Sequence, residues 1–149
     1  MKNTFQNIAF TNNLNINHVA PLQGGDINEV FLLQCESGNY VLNLNNAHDF
    51  PKMFEAEVKG LEALRSTQSF RIPKVFAHGE EGNKSYLLLE HITKGVVSTT
   101  FWEVFAKQLA MLHKTTNTSF GYTHHNYIGS LPQVNNYESN ASEFYINQR

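Results

Sequence analysis

The sequence predicts an α+β fold, a five-stranded antiparallel sheet with one long helix followed by further helices. Three observations carry that expectation. β-rich stretches of six to ten residues are separated by turns rich in Gly, Asn and Asp, the mark of antiparallel hairpins. Between the third and fourth of them, Phe54, Val58, Leu61 and Leu64 recur at i, i+4, i+7 and i+10, the period of an amphipathic helix. After the fifth stretch the apolar spacing becomes helical.

Taken in order, Phe5, Ile8 and Ala9 stand at helical spacing, while Asn12, Asn13 and Asn15 favour a turn, so a short helix is expected near the start. "NHVAPLQ" from Asn17 reads as the first strand and Gly24-Gly25-Asp26 as a turn. "INEVFLLQCE" reads as the second strand, Ser37-Gly38-Asn39 as the next turn and "YVLNLN" as the third strand. Asp49 beside Pro51 is expected to cap the following helix of about four turns. Pro73 opens a fourth strand, "KVFAHG", and a polar hairpin at Glu81-Gly82-Asn83 leads to "SYLLLEHI", the fifth strand and the most apolar. A second amphipathic helix is predicted over 100–114, with Phe101, Val104, Phe105, Gln108, Leu109 and Leu112 along one side. The rest reads as a loop and the start of another helix.

At 149 residues with 41% hydrophobic content, the chain can bury a modest core. A formal charge of -2 and no run of Lys or Arg give no electrostatic drive toward nucleic acid or anionic membranes. No apolar run approaches the ~20 residues that span a bilayer, Cys35 has no intrachain partner for a disulfide, and the first residues lack a secretory apolar stretch. The expected location is cytoplasmic. His113, His124 and His125 do not have the spacing of a zinc site and no Cys lies near them, so no metal ligand is assigned.

The order of three strands, helix, two strands, polar linker and helices resembles the small lobe of a protein-kinase-like fold followed by the first helices of a large lobe. "QGGDIN", "MFEAEVKGLEALRS", "RIPKVFAHG", "LLLEHI" and "FGYTHHNYIGSLPQVN" occur in order and are similar to segments of the fructosamine (ketosamine) kinase family, related in fold to aminoglycoside and choline phosphotransferases. The resemblance runs from about His18 to Arg149. It implies a nucleotide-binding lobe over 1–92 and an incomplete helical lobe over 93–149. It also implies an ATP- and Mg²⁺-dependent kinase that phosphorylates a hydroxyl of a ketoamine or related sugar derivative, of which this chain is the amino-terminal portion.

By that resemblance, Gly24 and Gly25 cover the phosphates, since a turn without Cβ atoms lets backbone N–H groups approach them. Two glycines in a hairpin also serve the turn alone. Glu57 is the helix carboxylate that pairs with a phosphate-binding lysine, although Glu55, Glu57 and Glu62 also read as a solvated helix face. Leu89 stands at the gate of the adenine site, with the Glu90 carbonyl and the Ile92 N–H at the adenine edge, or else the segment is simply a strand leaving the core. Asn126 and Gln133 fall near the acceptor cleft, where plain loop polarity explains them equally well.

Two departures from the family pattern stand out. The position of the phosphate-binding lysine is Asn43, an amide that can donate a hydrogen bond but carries no charge, and no Lys or Arg occurs between Lys2 and Lys52. The resemblance also calls for aspartates after the hinge to orient the acceptor and hold Mg²⁺, yet the only aspartates are Asp26 and Asp49. His78-Gly79-Glu80 stands in a hairpin context and is not taken as catalytic. The chain alone is therefore expected to be inactive, with weak nucleotide binding, and a noncatalytic nucleotide- or partner-binding module of the same fold is the alternative. The apolar side of the second helix (Phe101, Trp102, Phe105, Leu112) is expected to make the isolated chain self-associate.

Overall fold

The structure, a computed structural model, describes residues 2–23 and 27–149. Helix α1 (Lys2–Thr11) precedes strands β1 (Ile16–Pro21), β2 (Glu29–Cys35) and β3 (Gly38–Asn46); α2 (Met53–Ser66) follows, then β4 (Val75–Glu81) and β5 (Lys84–Glu90). Helix α3 (Phe101–His113), a short hairpin of β6 (Asn126–Ile128) and β7 (Leu131–Gln133), and α4 (Ala141–Gln148) complete it. The five longer strands form one antiparallel sheet in the order β1-β2-β3-β5-β4. The α+β fold and the five strands stand as the sequence predicts.

The described residues fall into two compact units, Met1–Glu55 with Pro73–Ile92, and Ala56–Ile72 with Thr93–Arg149. The sequence places all of α2 with the strands; in the structure most of it groups with the later residues. Within that second unit, Tyr122 Oη donates to the Lys59 carbonyl at 3.2 Å, and the Phe70 and Phe105 rings meet at 5.7 Å.

The first unit owes its order to one apolar face of the sheet. Leu33, Leu42, Leu44, Tyr86 and Leu88 close over Ile8 of α1, with Cys35 beside them, and Phe5 stands edge-on to Phe31 at 4.9 Å. The asparagines after α1 end it chemically. Asn13 takes a left-handed φ of 54°, Leu14 N–H donates to the Ala9 carbonyl and Asn13 N–H to that of Phe10, the paired bonds of a Schellman cap. Asn12 adds donations to the Ile8 carbonyl and to Tyr86 Oη.

Three local expectations need correction. Asp49 does not cap α2: the helix starts at Met53, after a turn in which Lys52 has φ 61° and Met53 N–H donates to the Phe50 carbonyl. Backbone turning, rather than a carboxylate, sets that start. The β2–β3 turn lies on Glu36 and Ser37, one residue early, because Gly38 at φ 131° already pairs with Cys35. The stretch read as loop holds the β6–β7 hairpin, turned at Gly129 (φ 59°) and Ser130. Gly121 (φ 132°) is held to glycine by space as well, since a Cβ there would lie 2.7 Å from the Asn136 carbonyl oxygen.

Candidate functional site

The three amides in the second half of β3, Asn43, Asn45 and Asn46, have different tasks, and strand alternation sets the first two on one face. Leu42 and Leu44 point into the α1 core, so Val41, Asn43 and Asn45 lie on the opposite face. There Asn43 stands between Val30 of β2 and Leu87 of β5, half-buried, with no hydrogen-bond partner among the described residues. Asn45 is 2% exposed and fully engaged: Nδ2 donates to Asn28 Oδ1 at 3.3 Å and points at Met53 Sδ at 3.2 Å, and Oδ1 accepts from Ser85 Oγ. Asn46 Oδ1 accepts the His48 N–H at 2.9 Å, and its carbonyl accepts Phe50 N–H, fastening the turn before α2. One amide is therefore free, one braces the sheet and one shapes a turn.

Among the described residues, no lysine or arginine of the sheet's strands shares the face of Asn43. Lys84 pairs with Glu29 at 2.6 Å; its register opposite Asn46 puts it on the α1 face. Lys52 is exposed and lines a crevice of about 40 Å³ with His78, Glu80 and Ser85, room for little more than one water molecule. A wide groove of about 1150 Å³ between α1 and β1, lined by Phe5, Phe10, Leu14 and Val19, holds none of the predicted site residues.

Leu89 shares the Asn43 face, paired with Val41, and is 8% exposed. Glu90 ends β5, its N–H given to the Lys74 carbonyl and its Oε2 accepting Lys74 N–H. Two residues on, outside any strand, Ile92 is exposed and its N–H has no acceptor among the described residues. The end of β5 thus offers a free backbone donor. Gly24 and Gly25 lie outside the described residues.

Glu57 stands on α2, half-buried and without an ion pair among the described residues, and burial pushes its carboxyl above the ordinary glutamate range. The folded chain then holds a proton that the unfolded chain has released, so stability falls as pH rises from the ordinary range through the raised value. Glu57→Gln should raise the melting temperature at pH 7, with the gain vanishing below the ordinary glutamate range. Thermal unfolding at both pH values checks this; equal melting temperatures for the two proteins at pH 7 would refute it.

In the second unit, Asn126 and Gln133 are brought together as register partners at the open end of the β6–β7 hairpin. Asn126 Oδ1 accepts from Asn135 Nδ2 at 2.9 Å, and the Asn126 amide N–H groups have no acceptor among the described residues. Asn135, missed in the sequence, is the organising residue. It is 3% exposed, donates also to the His124 carbonyl, accepts from Arg149 at Oδ1, and sends its backbone N–H to His125 Nδ1. That last bond requires His125 Nδ1 to be unprotonated. Nothing in the run "QVNN" distinguishes Asn135 from loop polarity, because its partners are nine or more residues away.

A fructosamine kinase family model matches residues 2–149. The chain is 34% identical over 129 residues to the probable ketoamine kinase of Synechocystis sp., covering 86% of this chain and 43% of that protein. It is 35% identical over 137 residues to the chloroplastic protein-ribulosamine 3-kinase of Arabidopsis thaliana, covering 90% of this chain and 41% of that one. A crystal structure of a Haemophilus somnus 129PT protein, provisionally named a fructosamine-3-kinase, superposes with a TM-score of 0.87 at 25% identity, covering all of this chain and 52% of the other. The chain spans about half the length of the relatives it matches, or somewhat less.

Proposed function

Because this chain belongs to the fructosamine kinase family, we propose that it forms the amino-terminal, nucleotide-side portion of an ATP-dependent kinase that phosphorylates a hydroxyl of a ketoamine or related sugar derivative. Residues 1–92 act as the nucleotide lobe and 93–149 as the start of the helical lobe. The observation that carries the reading is the β3–β5 face, where Asn43 offers a free amide and the end of β5 a free Ile92 N–H. Adenine recognition at Glu90 and Ile92 needs only backbone groups, which are present whatever the side chains. Asn126 and Gln133 are the acceptor-side residues of this reading, supported by their pairing and by the Asn126 amide N–H groups that no described residue accepts.

The residues present do not fit a Mg²⁺ site. Among the described residues no three His, Cys, Asp or Glu side chains converge, and no aspartate follows Asp49. This chain by itself is therefore assigned binding and not transfer. The lack of a cation at Asn43 favours a second reading, a noncatalytic nucleotide- or partner-binding module of the same fold. A cytoplasmic location suits the single buried thiol of Cys35.

The test is an amide NMR titration with MgATP. Shifts at Asn43, Leu89, Glu90 and Ile92 are expected, with an affinity near 1 mM, the level of a few kcal/mol of contact. Amides that stay fixed up to ~10 mM nucleotide, about tenfold above that expectation, would leave the partner-binding module as the better account.

A further inference from the structure

A carboxamide turned by 180° exchanges its oxygen for its nitrogen, so only partners that can act in one way decide its orientation. Asn135, buried at the β6–β7 hairpin, has two partners of that kind. The His124 main-chain carbonyl, 2.8 Å from Nδ2, can only accept, and the Arg149 guanidinium, 2.8 Å from Oδ1 through Nη2, can only donate. Arg149 is itself held, its Nη1 donating to the Val134 carbonyl at 2.8 Å and its guanidinium lying 4.5 Å over the Phe144 ring. Asn135 therefore cannot turn without setting oxygen against oxygen and N–H against N–H. Its other Nδ2 proton meets Asn126 at 2.9 Å, where only Oδ1 can accept it. The end of the Asn126 amide that remains is Nδ2, with two protons and no acceptor among the described residues.

We propose that Asn135 is a positioning residue that sets the polarity of Asn126, making it a donor to an oxygen of the ketoamine. This inference rests on the acceptor-side reading of Asn126 and adds which part of the ligand that residue meets. A ketoamine carries hydroxyl and carbonyl oxygens that accept, and at neutral pH an ammonium that only donates. Asn126 held with its N–H groups free is matched to the oxygens and mismatched to the ammonium, which must find its acceptor elsewhere. The polarity is relayed from a backbone carbonyl and a guanidinium, two groups that keep their hydrogen-bonding sense at any pH near neutrality.

The experiment is an NMR titration of the 149-residue chain with N-fructosylglycine, a simple amino-acid ketoamine, followed at the side-chain amides. In the parent, the Asn126 Nδ2 protons should shift on addition of this probe. Asn126→Asp keeps an oxygen for Asn135 Nδ2 and replaces the donor end by a second oxygen, so affinity should fall by about tenfold, the weight of one hydrogen bond. Asn135→Asp keeps an acceptor for Arg149 but has no proton for Asn126, whose amide should then turn and donate to the new carboxylate. Before any probe is added, the Asn126 Nδ2 protons of that variant should move downfield and exchange more slowly with water. A general loosening of the hairpin would speed their exchange instead. The probe should also bind that variant about tenfold more weakly. Exchange in the parent tests the orientation even if Asn135→Asp does not fold: the Asn135 Nδ2 protons should be slow and those of Asn126 fast.

A parent whose Asn126 amide ignores the probe up to ~10 mM, about tenfold beyond a millimolar site, would end both the acceptor-side reading and this inference. A parent that binds while Asn126→Asp binds equally well would overturn the inference and leave the reading standing. So would Asn126 resonances unmoved by Asn135→Asp, or Asn126 protons in the parent as slow to exchange as those of Asn135.

Discussion

Asn43→Lys is expected to raise the affinity for MgATP by about tenfold to a hundredfold. The free amide sits between Val30 and Leu87 on the face opposite α1, so the four-carbon stem of a lysine can lie along apolar neighbours and carry its ammonium past them. Replacing a neutral donor by a charged one adds a charge-assisted hydrogen bond to phosphate, worth about 1.5–3 kcal/mol, and each 1.4 kcal/mol is a factor of ten. Asn43→Gln lengthens the side chain without adding charge and is the control. Calorimetric titration of the three proteins decides the matter: a lysine variant no tighter than the glutamine variant would mean that the triphosphate does not come to β3.

Asn45→Leu is expected to cost about 3 kcal/mol of stability, although leucine nearly matches the amide in shape. The loss comes from what is left behind. Ser85, 8% exposed, loses the acceptor for its hydroxyl, an unsatisfied buried group that costs about 1–3 kcal/mol, and the part-buried Asn28 loses a donor as well. The brace also ends at Met53, the first residue of α2, so the sheet and the helix start loosen together. In urea unfolding, Asn45→Leu combined with Ser85→Ala should be more stable than Asn45→Leu alone, since removing both partners of a buried bond costs less than removing one. A double variant equal to or worse than the single would locate the loss elsewhere.

These two amides, two residues apart, show how far the sequence could be read. Both break an apolar strand, and in the sequence they look alike. That Asn43 stands where the family resemblance expects a lysine is an expectation the sequence itself can raise, because the surrounding motifs suggest that position. The bracing role of Asn45 was not legible there, because Asn28 and Ser85 are 17 and 40 residues away. Asn135 was hidden in the same way, with Arg149 14 residues off. The β6–β7 hairpin is a different kind of omission. Its signal, Gly129-Ser130 between two apolar residues, is in the sequence, but strands of three residues are too short to show alternation.

What the sequence determined by itself are the features that depend on near neighbours: the strand segments, the periods of α2 and α3, and the asparagines that end α1. It also determined which side chains are at hand, since folding cannot put a lysine at Asn43 or an aspartate after Asp49. The tertiary structure alone decided which face of β3 carries Asn43, where Lys84 spends its charge, and which of several similar amides are buried. Those outcomes follow from strand register and from packing between distant segments, and a one-residue change in register would exchange the two faces.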